Sequence, residues 1–240
     1  MINYSELKDN MKKLLPKIIG KNFRDISGKG PERIYINLIA NDIAVYVTGY
    51  ITSGLVNSKL FEDPSMRKAT ETYYGKLAKN SLDSVSQAVL QESGVGLNSV
   101  MCDFNVRDNT GIILYSSDKI LAKEDDSDRI SGSYHNFVRN RVSEFMINST
   151  GAYPRNIDLY LLDGDLYIFL NGFLGPFNET KYRFDQELIE ANRAFYYGIL
   201  KSEFTANMDD FSTDDHIFCD AFCDVDIMND RAMIILKRRR

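Results

Sequence analysis

Tryptophan is absent from this chain, histidine occurs twice and cysteine three times. With only His135 and His216, neither beside a nucleophile and an acid, histidine-based catalysis has little to stand on. Three cysteines are an odd count and make no disulfide framework; they read as reduced core thiols. No apolar run approaches the roughly 18 to 20 residues that a membrane span needs. The opening stretch MINYSELKDNMKK is polar where a secretory signal would carry its apolar region, so a cytoplasmic chain is expected. A formal net charge of −5 argues against general nucleic-acid binding, which needs basic surface. Hydrolase elbow, zinc-protease helix and dinucleotide fingerprint are all missing, and no cofactor is expected.

What the chain does contain is a repetition. The stretch ERIYINLIANDIAVYVTGYIT, Glu32 to Thr52, recurs without a gap as RNIDLYLLDGDLYIFLNGFLG, Arg155 to Gly175. Gly28 answers Gly151, Pro31 answers Pro154, Asp42 answers Asp165 and Gly49 answers Gly172, each pair 123 positions apart. Tyr73-Tyr74-Gly75 returns at that spacing as Tyr196-Tyr197-Gly198. Cys102 to Val106 returns as Cys223 to Ile227, with the spacing slipped to 121. This is a duplicated unit. With 44% hydrophobic residues, 240 residues suffice for two cores. The boundaries read as a first repeat over residues 1–116, a charged linker over 117–132 and a second repeat over 133–240.

Within the first copy, Leu7, Met11, Leu14, Leu15, Ile18 and Ile19 stand at helical spacing, with Pro16 and Gly20 predicting a kink or a ragged second half. Ser27-Gly28-Lys29-Gly30-Pro31 reads as its stop. Strict alternation of Ile34, Ile36 and Leu38 with Ile43, Val45, Val47 and Ile51 predicts a hairpin. Its counterpart turns at Asp163-Gly164, a strong two-residue turn signal. Asp63-Pro64 opens a long helix and Gly94 closes it. Ala69, Tyr73, Leu77, Val85 and Val89 are expected on its buried side, and Phe184, Leu188, Ala191, Phe195 and Ile199 on that of its counterpart, about Tyr182 to Met208. At 1.5 Å rise such a helix is about 42 Å long, so it either overhangs the sheet or breaks near Asn80-Ser81. A second hairpin closes each copy. The fold class is α+β, two tandem repeats of helix, hairpin, long helix and hairpin, each a four-stranded antiparallel sheet with helices on one face.

The sheet face away from the helices is expected to carry Tyr35, Tyr46 and Tyr50 in one copy and Tyr160, Tyr167, Phe169 and Phe173 in the other. Four aromatics at about 150 Å² each would expose on the order of 600 Å², at or above what a monomer leaves bare, so this face is expected to be covered. The other repeat, a second subunit, a ligand or a protein partner all fit. The repeated pairs Tyr73-Tyr74 and Tyr196-Tyr197 serve either as packing or as the lining of a pocket between the repeats.

Metal chemistry has two sequence candidates. His216-x-x-Cys219-x-x-x-Cys223 fails as a zinc site if it is a strand, because its cysteines then lie about 13 Å apart. Asp220, Asp224, Asp226 and Asp230, with Asp103, Asn105 and Asp108 in the first copy, offer the oxygen ligands that hard cations take, but no calcium-loop spacing. A solvated edge is the expected reading, with Asp224 and Asp226 the candidates otherwise. The basic run Lys237-Arg238-Arg239-Arg240 reads as a solvated tail or as a contact for acidic lipid or an acidic partner. Gly28-Lys29-Gly30-Pro31 lacks the spacing of a phosphate loop and follows a helix C-terminus, which repels anions.

In order along the first copy, Gly28-Lys29-Gly30-Pro31, the strand end Gly49-Tyr50-Ile51-Thr52, a long helix and the closing stretch Asp103-Phe104-Asn105-Val106-Arg107-Asp108-Asn109-Thr110-Gly111-Ile112-Ile113 resemble the MpsC family. The second copy follows more loosely, with Gly175 where the threonine is expected and without the lysine of the turn. That family is named for a sodium-translocating system that generates membrane potential. The resemblance therefore implies a non-enzymatic, soluble accessory or regulatory protein that docks on a membrane ion or bicarbonate transport complex, cytoplasmic and peripheral to the membrane. It supplies no catalytic residues. The tandem pair would reproduce in one chain a dimer of single-copy relatives. Two alternatives stay open: a small-molecule sensor lined by the tyrosine pairs, and a metal-dependent enzyme built around Asp224 and Asp226.

Overall fold

A computed structural model describes residues 4–52, 54, 59–121, 130, 132–174 and 185–239. The chain divides into two compact units, Met1–Glu124 and Asp125–Arg240.

In the first unit, helix α1 (Tyr4–Ser27) continues through Pro16 and Gly20, so its second half is not ragged. Leu7, Met11, Leu15, Ile19 and Phe23 recur every four residues and are all buried. At roughly 1.5–3 kcal/mol for each buried side chain, this stripe outweighs the ~3 kcal/mol cost of an interior proline. The helix stops as expected: Gly28 takes φ +76° and its N–H donates to the Arg24 carbonyl at 2.9 Å, a left-handed cap.

Strands β1 (Arg33–Ile39) and β2 (Asp42–Thr48) pair with Ile34 opposite Val47, Ile36 opposite Val45 and Leu38 opposite Ile43, the register the alternation requires. Helix α2 (Pro64–Asn80) starts at Asp63, whose carboxylate accepts the Ser65 N–H at 2.8 Å. Between overhang and break, the long helix of this unit breaks. Helix α3 (Leu82–Ser93) begins after Ser81, whose hydroxyl meets both the Ala78 carbonyl and the buried Tyr115 hydroxyl beneath the joint. Strands β3 (Ser99–Asn105) and β4 (Thr110–Ser116) complete an antiparallel sheet of order β1-β2-β4-β3. Beyond it, the Leu121 N–H donates to the Ala40 carbonyl at 2.8 Å and the Leu121 side chain joins the core. The start of the expected linker thus completes the first unit, and most of the remainder lies outside the described residues.

The second unit repeats the plan. Helix α4 (Gly132–Thr150) precedes β5 (Asn156–Leu162) and β6 (Asp165–Asn171); helix α5 (Gln186–Ala206) precedes β7 (Phe218–Asp226) and β8 (Arg231–Arg238). The sheet order β5-β6-β8-β7 matches that of the first unit. Asp163 and Gly164, at φ +53° and +84°, make the tight turn their identities predict. Gly175 and the expected helix start near Tyr182, with Phe184, lie outside the described residues.

The long-helix faces differ from expectation. In α2 and α3 the buried side is Tyr74, Leu77 and Ala78 with Val85, Ala88 and Val89, while Ala69 and Tyr73 are exposed. In α5 it is Leu200 and Phe204, while Leu188, Ala191 and Phe195 are exposed and Ile199 is half-buried. In the first unit Gly75 lies against the strand beneath: Cys102 on β3 donates its thiol to the Gly75 carbonyl at 3.6 Å, and a Cβ on Gly75 would already touch that sulfur at 3.8 Å. With Gly75 on the strand, Tyr74 faces inward and Tyr73 out.

Candidate functional site

The repeated glycines Gly49 and Gly172 each end a strand at a bolted corner. Gly49, at φ +65°, donates its N–H to the Asn109 carbonyl at 2.9 Å. The Asn109 side chain then holds Ile51 twice, accepting its N–H and donating to its carbonyl, both at 2.9 Å. In the second unit Gly172, at φ +67°, donates to the Asp230 carbonyl at 2.9 Å, and the Asp230 carboxylate accepts the Leu174 N–H at 2.9 Å. Asn109 and Asp230 are themselves left-handed, at φ +54° and +49°, a conformation that Asn and Asp tolerate. A Cβ at Gly49 would carry the left-handed cost and meet Glu32 Cδ at 2.5 Å. Gly49→Ala is therefore expected to destabilise the first unit by about 1–2 kcal/mol. An unchanged urea midpoint would show that the corner does not need glycine.

These corners correct the expected position of two aromatics. Strict alternation sends Tyr50 and Phe173 to the sheet face away from the helices, but the turn swings both to the helix side. Tyr50 is fully buried, with ring centroids of Tyr74 at 4.5 Å, Phe104 at 5.3 Å and Phe23 at 6.3 Å. Phe173 meets Tyr196 edge-on at 5.3 Å.

Each tyrosine pair sits in its own unit. Tyr73, 44% exposed, donates to the Ile26 carbonyl at 3.1 Å; Tyr74, 8% exposed, donates to the Tyr50 carbonyl at 3.4 Å. Burial raises the Tyr74 phenol pKa above its ordinary value, against a smaller downward pull from a hydrogen bond with Ser27. Burial raises Tyr196 as well, helped by the nearby charge of Asp230. Tyr197 is half-buried. The upward shifts keep both phenols protonated well above neutral pH.

On the other face, Tyr35 and Tyr46 lie opposite each other in register, half-buried, with centroids 6.1 Å apart. Tyr160, Tyr167 and Phe169 are buried, and the Arg231 guanidinium lies 5.0 Å over the Phe169 ring.

The acids that resemble metal ligands have other partners. Asp226 accepts the Asn229 N–H at 3.1 Å and its side-chain amide at 2.7 Å, closing the β7–β8 turn. In the first unit the same turn is closed by Asn105 and Asp108 at 3.1 and 2.7 Å, with amide and carboxylate exchanged. Asp224, 1% exposed, is held at 2.7 Å by Arg193 of α5 and accepts the Val225 N–H at 2.8 Å. Cys219 is exposed at a register irregularity, and Cys223 points into the core. Among the described residues no three His, Cys, Asp or Glu side chains gather closely enough to hold a metal.

Two aspartates that the sequence marks only as repeats of each other hold buried polar contacts. Asp42 is buried at the start of β2 and accepts the Ser116 hydroxyl at 2.6 Å. Its repeat Asp165 is buried beside the ammonium of Lys237 and accepts the Arg238 N–H at 2.9 Å. Lys237 is thus a buried member of β8; Arg238, the last residue of that strand, and Arg239 are exposed, and Arg240 lies outside the described residues. The 123-position spacing marked the two aspartates; nothing local marked their partners.

Two α+β units of one plan, whose repeated polar and aromatic residues close turns and fill cores, define the architecture. Residues 7–119, just under half of the chain, match the MpsC family, described as a Na+-translocating membrane potential-generating system. No curated protein and no solved structure matches the chain. No helix among the described residues is long and apolar enough to cross a membrane.

Proposed function

We propose that this chain is a non-enzymatic accessory or regulatory protein of a membrane ion-transport system, cytoplasmic and docked at the membrane periphery. The family match over residues 7–119 carries the reading, because the family is described by a membrane potential-generating system. Two features of the described residues support it. The side chains that could suggest catalysis are engaged in structure: Asp224 with Arg193, Asp226 with Asn229, and Tyr74 with Tyr50. The protein also lacks a spanning helix of its own there, so association with a membrane system would run through a surface.

Affinity capture of the tagged chain from gently solubilised host membranes, read by quantitative mass spectrometry, tests this. Integral ion-transport subunits are expected to be enriched over an untagged control. Recovery without any enriched integral membrane protein would sink the reading.

A further inference from the structure

The first unit carries a surface that neither the core nor the turns explain. Between Lys12 and Arg24, helix α1 bears Lys12, Lys13, Lys17, Lys21 and Arg24 and no acidic residue, within a chain of net charge −5. All five are exposed, and none forms an ion pair among the described residues. Lys13, Lys17, Lys21 and Arg24 follow one another at helical spacing, on the side opposite the buried stripe of Met11, Leu15, Ile19 and Phe23. The row extends about 16 Å along the helix.

The second unit provides an internal comparison. At the 123-position spacing its helix α4 keeps the buried stripe, with Val138, Val142 and Met146 in place of Leu15, Ile19 and Phe23. The cations are not kept: Asn136, Asn140, Glu144 and Ile147 stand in place of Lys13, Lys17, Lys21 and Arg24. The fold therefore forms without the basic row, which belongs to the family-matching unit alone.

We propose that this basic face of α1 docks the protein on an anionic lipid surface. Lysine ammonium groups are hydrated point charges on flexible stems, suited to a diffuse field of headgroups; a defined carboxylate partner would favour arginine forks. The row also has no exposed aromatic or methionine among its cations, the residues that anchor protein interfaces. The proposal deepens the accessory reading and rests on it for placing the chain beside a membrane. The lipid contact itself follows from the charge and its exposure.

Sedimentation of the full chain with vesicles tests it, using phosphatidylcholine alone and phosphatidylcholine with about a third phosphatidylglycerol. Binding is expected only to the anionic vesicles and is expected to fade as salt shortens the screening length. At roughly fivefold per cation, Lys13→Glu with Lys17→Glu and Lys21→Glu lowers partitioning more than about 100-fold. Lys13→Asn with Lys17→Asn, the residues α4 carries there, lowers it about 25-fold and guards against misfolding of the charge reversal. Arg238→Glu with Arg239→Glu is expected to leave binding unchanged. Absence of binding to anionic vesicles, equal binding by the α1 variants, or loss confined to the tail variant would each overturn the proposal. If vesicles are not bound but transport subunits are captured and lost in the α1 variants, the row meets an acidic protein; the lipid proposal falls and the accessory reading stands. Lipid binding without any captured subunit sinks the accessory reading alone.

Discussion

Lys237→Met is expected to destabilise the second unit by about 3–5 kcal/mol at neutral pH, the cost of leaving a buried carboxylate without its counter-charge. Asp165 and Lys237 are 1% and 5% exposed, so neither has water to fall back on. Methionine fills most of the lysine's volume, so packing changes little and the loss reports the charge. The first unit supplies the control, because there the same buried aspartate, Asp42, meets the hydroxyl of Ser116. Lys237→Ser recreates that donor and is expected to cost less than Lys237→Met, despite removing more side chain. Urea unfolding gives the size, and hydrogen exchange at the β6 and β8 amides separates this unit from the first. Equal losses in the two variants would mean that Asp165 needs no side-chain donor at position 237, and a loss under about 1 kcal/mol would mean that the pair is not closed in solution.

Local features were legible in the sequence, and long-range ones were not. The hairpins were read because a period of two over Ile34, Ile36 and Leu38 admits only one register against Val47, Val45 and Ile43. The Asp163-Gly164 turn and the Asp63 cap follow from chemistry within four residues. The α2 face is ambiguous in the sequence because Tyr73 and Tyr74 are adjacent aromatics that fit a helical stripe equally well. What separates them is packing on β3, where Cys102 meets Gly75 from 27 positions away. Gly49 and Gly172 were visible as repeats. Their effect on Tyr50 and Phe173 depends on Asn109 and Asp230, which reach across from another hairpin. The burial of Lys237 is not visible locally, because a run of cations is normally solvated and its partner Asp165 lies 72 positions earlier. The acids at the β-turns looked like ligands singly. Only the alignment of Asn105 and Asp108 with Asp226 and Asn229 shows a carboxylate and an amide trading places.

Phe23→Ala is expected to cost the first unit about 3–5 kcal/mol, the usual range for truncating a buried aromatic. Phe23 is fully buried at the end of α1, with the rings of Tyr74, Tyr50 and Phe104 at 5.9, 6.3 and 6.4 Å. Its truncation opens a cavity where the helix, the Gly49 corner and β3 meet. The second unit carries Met146 at this place, also fully buried, so Phe23→Met is expected to cost under about 1.5 kcal/mol. A second readout follows from Tyr74, whose phenol pKa is raised from 10.0 chiefly by burial. A raised folded pKa means that the stabilisation is fully present below the unfolded value near 10.0 and is lost as pH climbs through the folded one. The wild-type first unit should therefore weaken in alkali above that pH. In Phe23→Ala, water reaching Tyr74 lowers its pKa toward the ordinary value, and the alkaline loss shrinks. Ultraviolet titration of the phenols alongside unfolding midpoints checks both effects. A variant that loses stability while Tyr74 titrates as before would place Phe23 in the core without making it the cover of Tyr74.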